Sequence, residues 1–251
     1  GGDWWLDGLS DQVLVSSGRK MITKCTYHSS ERDVRGRDAC LVAFGKQCIE
    51  EFGKECANLG ALNNLGVGPR LLQVWADEKG CPSILEEDAG QGLDTIIAGD
   101  GRTLHTPGTP ERKAENEKIM LDTVMQLVHA HRGNVHLGDL RPANICVRRF
   151  KGDLGAAPQN IRATLIDFEL SSSIHGGDRT GEKVGRAEIY HVLFRSLPTL
   201  LNVENRDMTV LDPTPLEVDL GYLAALGYEL ERGSLALERC HWDDTPRDLD
   251  N

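Results

Sequence analysis

The stretch that most constrains this chain is Asp139-Leu140-Arg141-Pro142-Ala143-Asn144. Upstream of it Met120, Val124, Leu127 and Val128 recur at helical spacing, which predicts a long helix from Glu111 to about His131. Downstream, Asn144–Val147 and Ala163–Ile166 read as two short strands joined by a polar hairpin loop, 151–160. Proline cannot continue a helix. An acid and a carboxamide are therefore held at opposite ends of one tight loop between a helix and a hairpin. A further acid, Asp167, leaves the second strand in Leu165-Ile166-Asp167-Phe168-Glu169. A Pro-containing turn explains the first motif alone but not this acid at the matching strand end.

Ahead of that region, Val13–Val15 and Lys20–Tyr27 read as strands, followed by a charged loop from His28 to about Asp38. Ile49, Phe52, Cys56, Leu59 and Leu62 mark one face of a helix that stops at Asn63-Asn64-Leu65-Gly66, before Pro69. Arg70–Trp75 and Ser83–Leu85 are strands around the turn Glu78-Lys79-Gly80. Composition shifts after Asp88-Ala89-Gly90, and 99–110 reads as a loop. Ala187–Leu201 and Pro215–Glu231 carry helical spacing, with a flexible loop expected over 171–183. Strands come first and helices later, with one hairpin among them. This is an α+β order of two segregated parts, 1–87 and 88–251.

Asp139–Asn144 resembles the catalytic loop of protein kinases, D-L-K-P-x-N, and Asp167-Phe168 resembles their D-F-G metal site. The resemblance implies a two-lobed protein-kinase-like fold with a reduced second lobe, using ATP and Mg2+. In such a site Asp139 would orient and deprotonate the attacking hydroxyl, and Arg141 would replace the usual lysine beside the transferring phosphate. Asn144 and Asp167 would hold magnesium. Lys24, in Met21-Ile22-Thr23-Lys24, is similar to the phosphate-gripping lysine, with Lys20 as runner-up. Glu55 would pair with it, and Glu51 is the alternative. Ile84-Leu85-Glu86-Glu87-Asp88 resembles the strand and hinge that receive adenine, making Leu85 the gatekeeper and placing Glu86 and Asp88 at the nucleotide. Asp219 resembles a buried helix acid that caps backbone N–H groups of the catalytic loop.

The sequence departs from that pattern in several places. No G-x-G-x-x-G precedes Lys24, where beyond Gly1-Gly2 only Gly8 and Gly18 occur, with Ser16-Ser17. Leu137 stands at the usual histidine position of the catalytic loop, and little chain follows the Asp219 helix. Glu169 in place of glycine looks like the choline-kinase and aminoglycoside-phosphotransferase branch. The expected acceptor is a protein hydroxyl. A small-molecule acceptor and a pseudokinase binding module are the alternatives.

Composition narrows the partners. A formal net charge of −11 argues against nucleic-acid backbones and anionic membranes as partners. No apolar run is long enough for a membrane span, and no leader pattern is visible after Gly1-Gly2. The seven cysteines form no C-x-x-C pair, so reduced buried thiols are expected rather than zinc. That favours a cytoplasmic location, or delivery into a host cytosol; a secretory origin stays open. His129 and His131, spaced i and i+2 on a helix, face apart and make no metal site.

Overall fold

The computed structural model describes residues 4–10, 13–15, 19–30, 34–99, 104–150, 160–168, 171–173 and 215–235. The helical reading of 187–201, the Gly18 turn, Glu169 and Cys240 lie outside these residues.

Six strands from the first third of the chain form one antiparallel sheet. They are β1 (Trp4–Asp7), β2 (Val13–Val15), β3 (Lys20–Ser29), β4 (Val34–Phe44), β5 (Leu71–Ala76) and β6 (Pro82–Glu87). Their order is β1-β3-β4-β6-β5, with β2 also on β3. β1 and β5 are thus at opposite ends, which in a flat sheet would lie about 19 Å apart. Yet the Trp4 and Trp75 rings meet at 5.0 Å. The sheet is therefore curled, and its inner face encloses Cys25, Tyr27, Ala39, Leu72 and Leu85.

The outer face packs on α1 (Ile49–Asn64), where Phe44 of β4 meets Phe52 edge-on at 5.5 Å. Leu59 and Leu62 bury the same helix face in the main core with Val42 and Ile84. The helix ends at the Gly66–Pro69 turn, as its sequence signals require.

The remaining elements build helices around small sheets. They are β7 (Gln91–Gly92), α2 (Leu93–Ile97), α3 (Pro110–Arg132), β8 (Val135–His136), β9 (Ile145–Arg149), β10 (Ile161–Leu165), β11 (Ser172–Ser173) and α4 (Pro215–Arg232). Thr109 caps α3 by accepting from the Arg112 N–H, with Pro110 at the first helical position. β10-β9-β7 and β11-β8 are separate sheets; among the described residues no strand joins them to the large one. α3 lies against β10 and α4, burying Ile119 and Leu127 beside Ile145, Val147 and Leu165. The class is α+β.

β4 corrects the sequence reading. A loop is expected from His28 to about Asp38, but Val34 already begins an eleven-residue strand. Arg35, Gly36 and Arg37 hide it, because polar residues and glycine read as loop.

Candidate functional site

The loop after α3 is held from below by one buried acid. Asp219, fully buried on α4, accepts from the Leu137 N–H at 2.8 Å and the Gly138 N–H at 2.8 Å. His131 Nε2 also lies 2.8 Å from it. A carboxylate with three partners satisfies the burial rule for charge. Leu137 is itself buried.

Within the loop, Asn144 Nδ2 donates to the Asp139 carboxylate at 2.7 Å and to its carbonyl at 3.0 Å. Arg141 Nε stands 3.2 Å from Asp139 Oδ2. The Asn144 amide nitrogen is thus committed, while its side-chain oxygen accepts nothing among the described residues. Asp139 and Asn144 are both buried.

Strand register brings Asp167 to the same place. Leu165 pairs with Ile145, and the Ile166 N–H donates to the Asn144 carbonyl at 2.9 Å. Asp167 is the next residue. It is exposed, and its carboxylate makes no hydrogen bond or ion pair among the described residues. Its backbone is left-handed, with φ of 58°. That conformation costs a non-glycine residue roughly 1–2 kcal/mol and concentrates at functional sites.

The residues around Asp167 fix this conformation. Phe168 is buried, and its ring packs so close to Gly68 that a Cβ there would lie 2.6 Å from Cε2. Asn58 of α1 donates to the Phe168 carbonyl at 2.7 Å and to the Ser171 carbonyl at 3.2 Å. Asn58 thus ties α1 to the Asp167 segment, a role that sequence reading missed. Its only signal is that it lies three residues beyond Glu55, on the same helix face.

The lysine assignment is corrected. Glu55 pairs with Lys20 at 2.5 Å, not with Lys24. Lys20 is buried, and its ammonium also lies 5.4 Å from the centre of the Phe44 ring. Lys24 is half-exposed and binds the Asp88 carboxylate at 3.1 Å and the Gly90 carbonyl at 3.1 Å. Register is the cause. Lys20 stands opposite Phe44, which abuts α1 through Phe52. Lys24 stands opposite Cys40, about 13 Å further along the strand toward the chain linking β6 to β7. β4 also intervenes between β3 and β6, so Lys20 reaches Glu55 from a strand that is not adjacent to β6. Glu51 pairs instead with Arg19 at 2.9 Å.

The gatekeeper reading of Leu85 is corrected. Leu85 is fully buried inside the curl, so it cannot act as gatekeeper. Glu86, the next residue, faces the α1 side. Its carboxyl is pushed up to about 8, chiefly by burial, then by Glu55 and Asp167, with Lys20 pulling the other way and Asp88 adding to the rise. Asp88 is tied into the fold: its N–H donates to the Asp38 carbonyl at 3.1 Å and its carbonyl accepts from Arg148 at 3.0 Å. Its N–H therefore has no capacity left for a base edge.

No family model and no curated protein matches this chain.

Two thiols stand near the Lys24–Asp88 pair. Cys40 donates to the Asp88 carboxylate at 3.6 Å. Cys146 on β9 is pushed up to about 12 by burial, with Lys24 acting in the opposite direction. Both are therefore neutral thiols, poor nucleophiles. The described cysteines carry no disulfide.

Chemically, one end of the site offers a buried ion pair, Lys20–Glu55. The other offers an acid held by an amide, Asp139–Asn144, with an uncommitted carboxylate, Asp167, beside it. That separates a cation able to meet an anionic ligand from oxygen donors able to hold a divalent metal.

Proposed function

We propose that this protein is an ATP- and magnesium-dependent phosphotransferase with a two-lobed, protein-kinase-like arrangement, residues 1–87 making the smaller lobe and 88–251 the larger. The observation that carries this reading is the register placing strained, uncommitted Asp167 beside Asn144, on a loop anchored by Asp219. Such an arrangement is costly and does nothing for folding that a glycine and an apolar residue would not do better.

Asp167 and the free Asn144 side-chain oxygen would hold the magnesium. When bound, the ion supplies charge neutralisation to the phosphates. Lys20, kept in place by Glu55, would contact the phosphates nearer the nucleoside. Asp139 orients the acceptor hydroxyl and takes its proton, and Asn144 fixes the Asp139 carboxylate for that task. Arg141 places a guanidinium where charge builds up on the transferring group. The expected acceptor is a protein hydroxyl. The expected setting is a reducing cytosol, in keeping with the buried thiols Cys25 and Cys48. No helix among the described residues is long and apolar enough to cross a membrane.

The test is incubation with γ-labelled ATP and magnesium, alone and with a cell lysate. Label in protein supports a protein kinase, and label only in small molecules supports the choline-kinase type of acceptor. Thermal stabilisation by Mg-ATP without transfer supports a binding module. Absence of both stabilisation and transfer at millimolar Mg-ATP refutes the reading, because a ligand that binds the native state must stabilise it.

A further inference from the structure

A groove of about 760 Å3 opens behind the link between β6 and β7, away from the residues just described. None of Lys20, Glu55, Asp139, Asn144 or Asp167 lines it. Its walls are the turn after α1 and the segment Glu87–Ala89, and its floor is one face of the β9–β10 hairpin.

That floor is unusual. Arg148 on β9 and Arg162 on β10 are directly opposed cross-strand partners. Like charges facing each other across a strand pair are destabilising, by roughly 0.2–1 kcal/mol. Arg148 is partly compensated by Asp38 at 2.5 Å and by the Asp88 carbonyl. Arg162 is exposed and has no ion pair among the described residues. From the opposite wall comes Arg70, likewise exposed and without an acid partner among the described residues. The acids at the rim are already engaged, Glu87 with Arg37 at 2.6 Å and Asp88 with Lys24. The groove therefore concentrates cationic charge in a chain whose net charge is −11. At one end Phe150 exposes 48 % of its surface, with Arg148 5.7 Å from its ring centre.

We infer that this groove docks an acidic peptide segment of a partner protein. Guanidinium groups bind carboxylates in two-pronged fashion, which gives both attraction and register. The volume is far larger than one inorganic anion needs and matches a ligand of several residues. Phe150 supplies an apolar contact for an aliphatic or aromatic side chain within that segment. The inference rests on the groove alone and not on phosphate transfer.

Fluorescence polarisation of a short, labelled Glu/Asp-rich peptide containing one leucine tests it. Saturable binding at low salt is expected, weakening as salt rises, with none for a Lys-rich peptide of the same length. Arg70→Glu combined with Arg162→Glu should raise the dissociation constant by at least about tenfold, the scale of lost charge-assisted contacts. Should that double reversal lower the melting temperature, Arg162→Gln carries the test, because it only relieves an exposed like-charge pair. It should weaken the peptide about threefold without lowering the melt, which relief of the like-charge pair can only raise slightly. Absent binding, equal affinity in the variants, or full displacement by millimolar inorganic phosphate would overturn the inference; the last would reduce the groove to a small-anion site. Stabilisation of the same variants by Mg-ATP should match wild type, which keeps this outcome separate from that of the phosphotransfer reading.

Discussion

Glu86 gives the sharpest test of the cleft's electrostatics. Its ordinary value near 4.5 rises to about 8 in the folded chain. Between those values the native state holds a proton that the unfolded state has lost. Stability must then fall as pH rises, by about 1.4 kcal/mol per pH unit from this group. At pH 7 the accumulated loss is about 3 kcal/mol, an upper figure. Glu86→Gln retains the shape of the protonated acid and removes the titration. Wild type and variant should melt together near pH 4.5, diverge steadily up to about pH 8 and keep a constant gap beyond it, the variant being more stable. At about 2–4 °C per kcal/mol for a chain of this size, the gap at pH 7 should approach about 6–12 °C. The assay is a set of thermal melts from pH 5 to pH 9. A gap that does not change with pH, or a variant less stable than wild type at pH 8, would refute the reasoning and remove Glu86 from the charged cluster.

Lys20→Met removes the ammonium that faces Glu55 and offsets the acids around Glu86. It should cost about 3–5 kcal/mol in denaturant unfolding and abolish stabilisation by Mg-ATP; Lys24→Met breaks a half-exposed pair, should cost under about 1 kcal/mol, and should leave that stabilisation intact. Asp167→Asn suits the left-handed backbone yet removes the charge, so thermal shift by Mg-ATP and phosphate transfer should disappear together. Asp139→Ala should change nucleotide affinity only a few-fold while slowing turnover about 100-fold or more, as read in single-turnover assays. Gly68→Ala meets both a φ of 81° and the Phe168 ring; it should cost about 2 kcal/mol or more in thermal melts.

The long helices were legible because apolar residues recur along each at steps of three and four. α1 begins at Ile49 as its spacing predicts, and α3 and α4 match their expected spans within a residue or so. The Asp139–Asn144 loop was legible because proline and the flanking periodicities bound it on both sides. The sheet was harder to read, for a physical reason. Both of its faces are covered, the inner one by Trp4 and Trp75 and the outer one by α1, so alternation of polar and apolar residues no longer reports which side faces the site. Leu85 was misassigned on that account. Lys20 and Lys24 lie on the same face by parity, and only the position of Phe44 against α1 chooses between them. Asn58 left no trace beyond its spacing from Glu55, because a polar residue on a helix looks like a solvated one until the Phe168 and Ser171 carbonyls are in place.

Asp219 has a consequence for the order in which the chain takes shape during synthesis. It lies 82 positions beyond Leu137, whose amide it accepts. At about 5–20 residues per second, a ribosome delivers that acceptor about 4–16 s after the loop it anchors. Through that interval the nascent loop has its local bond, Asn144 to Asp139, but no acceptor for the Leu137 and Gly138 amides. The residues that define the site are therefore made early and locked late. A nascent chain released before α4 emerges would carry the whole Asp139–Asp167 sequence and still be unable to hold it in a working shape.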